Sequence, residues 1–221
     1  MTCDLRKYKS RAQGEIGRCV ALALGVAMVL SVLMVGSCGR MPAGAKKDTT
    51  EYHPNGRIKA RGVLELDSRG APVKSGVWEY FDENGAKISS GPFVAGVRRG
   101  NWQSWHSNGA LKAEGPFKDD LEEGPFVYFF PNGNKAAAGK MQAGKNIGEW
   151  SYWYENGQLK RRGSVGQGNQ PEGNWTYWYD NGDLEKEGAF RGGKEEGPWT
   201  FVSGGGAQKR VVTFVGGVEK K

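Results

Sequence analysis

From about residue 49 onward, apolar and polar residues alternate in short runs, and glycine separates one run from the next. Alternation with period two between turn residues is the pattern of half-buried strands, not of helices. The runs also repeat. A large aromatic stands at Trp78, Trp102, Phe126, Trp150, Trp175 and Trp199, and a bulky apolar residue follows three positions later at Phe81, Trp105, Phe129, Trp153, Trp178 and Val202. A glycine precedes each first aromatic by two, at Gly76, Gly100, Gly124, Gly148, Gly173 and Gly197. Further along come the dipeptides Asn55-Gly56, Asn84-Gly85, Asn108-Gly109, Asn132-Gly133, Asn156-Gly157 and Asn181-Gly182, at spacings of 29, 24, 24, 24 and 25 residues. After each lies another glycine (Gly62, Gly91, Gly115, Gly139, Gly163, Gly188), and an apolar residue follows it by two.

Asn-Gly between alternating runs is a strong hairpin signal, because a type I′ turn needs positive φ at both central residues. The unit therefore reads as strand, two-residue I′ turn, strand, and a second glycine-bearing turn at Gly96, Gly144, Gly168 or Gly193. A single hairpin is marginal in water, so the units must stack and cover one another's aromatics. The predicted fold is all-β: about seven stacked antiparallel hairpins over residues 49–221. Trp150 and Tyr152 share one face, whereas Ser151 and Trp153 point the other way. Two units are irregular. The first has Thr49 in the aromatic slot and five extra residues before Gly76; the last has Gly205-Gly206 in the turn slot and Val212 in place of the second glycine. Terminal units of an array meet water on one side, so both read as caps.

These residues, over about 49–217, resemble the bacterial variant of the MORN repeat, whose units are glycine- and aromatic-rich hairpins of similar length. The spacing is also similar to that of choline-binding cell-wall repeats, another aromatic hairpin array, but the Asn-Gly turns favour the MORN-like reading.

The first fifty residues read as an address. Arg6, Lys7, Lys9, Arg11 and Arg18 precede an apolar run from Cys19 to Val35, and Val35-Gly36-Ser37 then lead into Cys38. A positive segment, an apolar segment and small residues at a cleavage point make a secretory signal. Small residues directly before a cysteine look like a lipobox. That implies a signal peptide over 1–37, lipidation of Cys38, a flexible tether over 38–48 and a repeat domain over 49–221. The run approaches the length of a spanning helix, so an uncleaved membrane anchor is the alternative. Gly39 follows Cys38, with no aspartate resembling an inner-membrane retention signal; sorting by resemblance is then to the outer membrane. All three cysteines (Cys3, Cys19, Cys38) lie at or before the cleavage point, so the mature chain has no disulfide to hold it.

Charge changes the picture little. The 31 Lys/Arg and 24 Asp/Glu include five and two in residues 1–37, leaving 26 against 22. That excess is too small for a dedicated nucleic-acid binder. No nucleophile elbow, phosphate loop or zinc spacing occurs, so no catalytic residue, metal or cofactor is expected. His53 and His106 fall at one repeat position, four after the aromatic slot, and read as variants of a structural position. The acidic pairs Asp119-Asp120, Glu122-Glu123 and Glu195-Glu196 fall in inter-hairpin turns, where solvated charge is ordinary.

Two columns remain as binding candidates. Lys59, Lys112, Lys160 and Lys209 stand ten after the aromatic slot, with Arg161, Arg162 and Arg210 beside them, and stacking would bring them into line facing anionic lipid or wall polymer. Lysines on exposed strands also serve simply to block edge pairing. Trp153 and Trp178 could present a second aromatic face to a sugar or a partner protein, or could be buried between units. The sequence thus reads as a membrane-anchored, non-enzymatic scaffold for a protein partner, with a peptidoglycan- or anionic-lipid-binding module as the alternative.

Overall fold

Residues that recur in sequence meet across strands. A computed structural model of the chain describes residues 44–166 and 168–221. The signal peptide, Cys38 and the first residues of the tether lie outside the described residues. The strands are β1 (Lys46–Tyr52), β2 (Ile58–Leu66), β3 (Pro72–Phe81), β4 (Lys87–Val94), β5 (Val97–Arg98) and β6 (Gly100–Trp105). Then come β7 (Leu111–Lys118), β8 (Leu121–Glu122), β9 (Gly124–Phe129), β10 (Lys135–Gln142), β11 (Lys145–Trp153) and β12 (Leu159–Val165). The last are β13 (Pro171–Trp178), β14 (Leu184–Arg191), β15 (Lys194–Ser203), β16 (Gln208–Val215) and β17 (Val218–Glu219). The long strands pair antiparallel in chain order, as β10 does with β9 and β11, while the two-residue β5 and β8 fold back on β4 and β7, so that β4 pairs on with β6 and β7 with β9. The architecture is one long antiparallel sheet of stacked hairpins carrying MORN-like repeats. Strand β1 begins at Lys46, and the amide of Gly44 already donates to Leu66, so the ordered hairpin takes in the end of the assigned tether.

The Asn-Gly turns differ from the expected type I′. No asparagine of these dipeptides has positive φ; only the glycine does, at 82° in Gly56 and 89° in Gly157. The amide of Gly56 donates to His53, and that of His53 to Arg57, which makes a three-residue loop with the glycine as its left-handed bulge. The I′ geometry sits at the other end of the hairpins. There Ala95 and Gly96 (φ 51° and 84°), Asp119 and Asp120, and Ala143 and Gly144 form two-residue turns with both residues at positive φ. The longer Asn-Gly loop leaves asparagine a task that an I′ position would deny it, described below.

The two glycine positions have different causes. Gly163 faces Trp150 on one side and Trp175 on the other. A Cβ there would lie 2.2 Å from the Trp175 ring, and Gly62, Gly91, Gly115, Gly139 and Gly188 stand equally close to the following unit's aromatic. The ring of each unit lies flat on the glycine of the one before. By contrast Gly148 (φ 63°) and Gly173 (φ 68°) have nothing within 4 Å of an added Cβ. They open a two-residue bulge: Gly139 pairs with Trp150 but Lys140 with Ile147, leaving Gly148 and Glu149 without partners on β10 while they pair with Val165 and Ser164 of β12. The bulge directs a carbonyl at the ring, and the Trp150 indole N–H donates to Lys140 at 3.3 Å, Trp175 to Ser164 at 2.9 Å and Trp199 to Ala189 at 3.0 Å.

Val212 now has a reason. It occupies the glycine slot of the last unit, where no described ring lies over it, and it is buried. Freed of a following tryptophan, the slot takes a side chain that closes the core. Thr49 marks the other end, opposite Gly62.

Candidate functional site

The aromatics make one continuous face. Trp150 stacks on Tyr152 at 6.0 Å, Tyr152 on Trp175 at 6.4 Å, and Trp175 on Tyr177 at 6.1 Å. Phe93 and Phe190 close the gaps edge-on to Trp102 and Trp199, at 5.2 and 5.0 Å. The slot aromatics are buried, whereas the tyrosines two residues later are half-buried and reach the surface.

Along this face one register row crosses the sheet. In its C-terminal part Tyr152 pairs with Arg161, Arg161 with Tyr177, Tyr177 with Lys186, Lys186 with Phe201, and Phe201 with Arg210. Rings and cations alternate. The Arg161 guanidinium lies 4.2 Å from the Tyr152 ring centre and 5.7 Å from Trp175; Lys186 Nζ lies 4.8 Å from Tyr177 and 5.5 Å from Trp199. Such contacts contribute about 0.5–2 kcal/mol each. Burial pushes the Tyr177 hydroxyl up, with Arg161 opposing, and pushes Tyr128 up to about 12, with Glu122 and Tyr152 adding to it. At the N-terminal end the cations come from a different row: Lys74 lies 4.2 Å over Trp78, and Arg98 4.3 Å over Phe117 while it pairs with Asp120.

The lysine column behaves otherwise. Lys59, Lys112, Lys160 and Lys209 are exposed, but Ile88, Ala136 and Glu185 take the intervening units. At two strands per unit, consecutive lysines stand on the order of 20 Å apart, beyond the roughly 8 Å screening length at physiological salt. Lys160 lies 4.9 Å over the Tyr154 ring. Arg161 is parted from its lysine neighbour: it points onto the aromatic face, while Arg162 pairs with Glu149 on the opposite one. The Lys186 and Arg98 positions were not singled out from sequence, although aligning units at two before the second glycine would have shown Arg161, Lys186 and Arg210 in consecutive units.

Trp153 and Trp178 lie half-buried on the face opposite Trp150, in a second file with Phe81 and Trp105. Cations cover part of it, as Lys87 does at 4.7 Å over Trp105 and Lys135 at 5.9 Å over Trp153. In four units the position after this aromatic joins one unit to the next. His53 and His106 donate Nε2–H to the carbonyls of Phe81 and Phe129 at 2.9 and 2.8 Å, and the Tyr154 and Tyr179 hydroxyls donate to Trp178 and Val202. One repeat position thus does one structural task, as expected for the histidines.

Asparagine does another. In Asn156 the Oδ1 accepts from the Gln158 amide at 3.0 Å, and Nδ2 donates 2.7 Å to Asp180 in the next unit's turn. Asn55, Asn108 and Asn132 reach Glu83, Pro131 and Glu155 in the same way. Asn84 differs, since Asp82 holds that turn, and Asn181 bonds to Asp183. At the far ends of the hairpins the acidic pairs are used too: Glu123 and Glu196 accept from the first amides of the following turns, Ala143 and Gly216. Among the described residues, no three His, Cys, Asp or Glu side chains converge on a metal-sized site, and no helix is long and apolar enough to cross a membrane.

Comparison with known proteins agrees with this geometry. Residues 98–119, 147–165 and 171–191 match the MORN repeat variant. No curated protein matches the chain. Among solved structures, a Bacteroides fragilis protein of unknown function aligns with 76% of this chain and 88% of its own at 8% identity and a TM-score of 0.16, a likeness too slight to bear on fold or function. In those three segments, then, the hairpins carry the pattern of the MORN repeat variant.

Proposed function

We propose that the protein is a non-enzymatic envelope lipoprotein, tethered to the outer membrane by lipid on Cys38, whose repeats hold a protein partner. The observation that carries this reading is the register row in which the half-buried rings Tyr152, Tyr177 and Phe201 alternate with Arg161, Lys186 and Arg210. Tyrosine and arginine, pre-positioned by stacking, are the side chains that dominate protein–protein hot spots. A repeated sheet offers them at fixed spacing over many units.

A second reading rests on the same row's charge. Three cations in consecutive units suit an anionic glycan, peptidoglycan or lipid surface.

The full chain and a Cys38→Ala variant, produced in a bacterial host with labelled palmitate, test the anchor. Label and a shortened chain in the wild type only are expected; an unlabelled wild type that keeps its leader would make it an uncleaved anchor. Tagged full chain is then cross-linked in cells and, separately, sedimented with sacculi. One specific cross-linked protein with sacculi unbound is expected. Sedimentation with sacculi that high salt or Lys186→Glu removes would instead establish the wall-binding reading.

A further inference from the structure

The six Asn-Gly turns are not equivalent. In five of them both ends of the carboxamide are held. Oδ1 of Asn55, Asn108, Asn132, Asn156 and Asn181 accepts from the amide two residues on, each at 3.0 Å. Nδ2 of the first four donates to the next unit's turn, and that of Asn181 donates to Asp183 at 2.9 Å. Asn84 departs from this. Asp82 Oδ1 accepts from the amides of Asn84 and Ala86, both at 2.9 Å, so the donor that Asn84 Oδ1 would use is already taken. Among the described residues the exposed Asn84 carboxamide makes no hydrogen bond, while its backbone carbonyl accepts from Arg57 Nη1. The backbone is common to all six turns: the glycine has φ between 82° and 92°, and its amide donates to the residue three before it. Only the side-chain bonds set Asn84 apart.

An asparagine followed by glycine holds an electrophile and a nucleophile side by side. The glycine nitrogen can reach the carboxamide carbon because the following residue has no Cβ in the way. In the five engaged turns the carboxamide must leave two hydrogen bonds before it can turn toward that nitrogen. At Asn84 it leaves none.

We propose that Asn84 is a site of spontaneous deamidation, converted ahead of the other five Asn-Gly asparagines. The Gly85 nitrogen gives up its proton and bonds to Asn84 Cγ, the Cγ–Nδ2 bond breaks, and ammonia leaves. Water then opens the cyclic imide at either carbonyl, giving aspartate or isoaspartate. Nothing is oxidised or reduced, and water is the sole co-reactant. The product sets a new carboxylate in the turn that Arg57 contacts. Because the Asn84 side chain has no bond to the next unit, conversion leaves the asparagine ladder whole. The labile turn is the one that stacking does not use.

The full chain in detergent is held in mildly alkaline buffer. Peptide mapping by mass spectrometry follows acid formation at all six sites, with isoaspartyl methyltransferase labelling as a second readout. Asn84 is expected to convert about tenfold faster than the other five, which must first give up two hydrogen bonds. In urea the six rates should converge. Asp82→His copies His53 and His106 in the same slot and returns the Ala86 amide to Asn84, so conversion there should slow about fivefold. His106→Asp should speed Asn108 by a similar factor. Melting curves establish that both variants are folded. Equal rates at all six sites in the folded wild type would overturn the assignment. So would a lead of Asn84 that persists in urea, or rates that neither substitution moves in a folded variant. If a substitution unfolds the chain, the wild type with and without urea decides alone.

Discussion

The ring of Trp175 rests on the backbone of Gly163, so close that any Cβ at 163 would stand 2.2 Å from ring carbon Cδ2. The pair is repeated at every junction from Gly62/Trp78 to Gly188/Trp199, and it is the contact by which one hairpin seats the next. Removing the glycine's freedom of contact therefore acts on the stacking of units, not on a local turn.

Gly163→Ala is expected to destabilise by about 2–3 kcal/mol through overpacking. Gly148→Ala should lose about 1–2 kcal/mol from left-handed backbone alone. Asparagine separates the two causes: it tolerates left-handed φ, so Gly148→Asn should recover most of the loss, and Gly163→Asn none. Urea melts of the four variants check this. Equal recovery at both sites would contradict the steric role of Gly163.

The asparagine ladder predicts a graded response at Asn156. Asn156→Ala removes both the bond to Gln158 and the bond to Asp180, for a loss of about 1–2 kcal/mol. Asn156→Asp keeps the acceptor for the first and loses the donor for the second, and should fall between. Asn84→Ala, where Asp82 holds the turn, should cost less than Asn156→Ala in the same denaturation measurement.

Alkaline stability follows from Tyr128. Burial, then the charge of Glu122 and the neighbouring Tyr152, pushes its hydroxyl from the usual 10 to about 12. A raised folded value means stability is intact below about pH 10 and is lost as pH rises through about 12. Tyr177 shifts in the same direction, from burial first. Tyr128→Phe should move the alkaline unfolding midpoint, followed by circular dichroism, to higher pH. A midpoint that stays put would show that Tyr128 does not govern it.

Adjacent basic residues should behave differently. Arg161→Ala uncovers Tyr152 and Trp175 and should cost about 1–2 kcal/mol. Lys112→Glu, on an exposed strand position, should change stability by less than about 0.5 kcal/mol. Thermal melts in low and high salt compare them; equal losses would mean that the row on the aromatic face has no special coverage.

Much of this protein is written in its sequence because its contacts are local and periodic. Asn-Gly every 24 or 25 residues from Asn84 to Asn181, with Trp150, Trp175 and Trp199 in phase, determines hairpins, their number and their stacking order. Period-two alternation puts Trp150 and Trp153 on opposite faces. The recurrence of one slot also reads His53 and His106 as variants of a structural position, and the structure adds that each bonds to the next unit. What the sequence left open depends on backbone that only neighbours decide. Asn-Gly suits either a two-residue I′ turn or a three-residue loop, and the loop prevails because asparagine at negative φ can also bond to the next unit. The lysine column aligned in sequence is dispersed in space, while Arg161, Lys186 and Arg210 are set over rings by their direct pairing with Tyr152, Tyr177 and Phe201. Register and bulges depend on which strand lies beside which, and tertiary pairing alone supplies that.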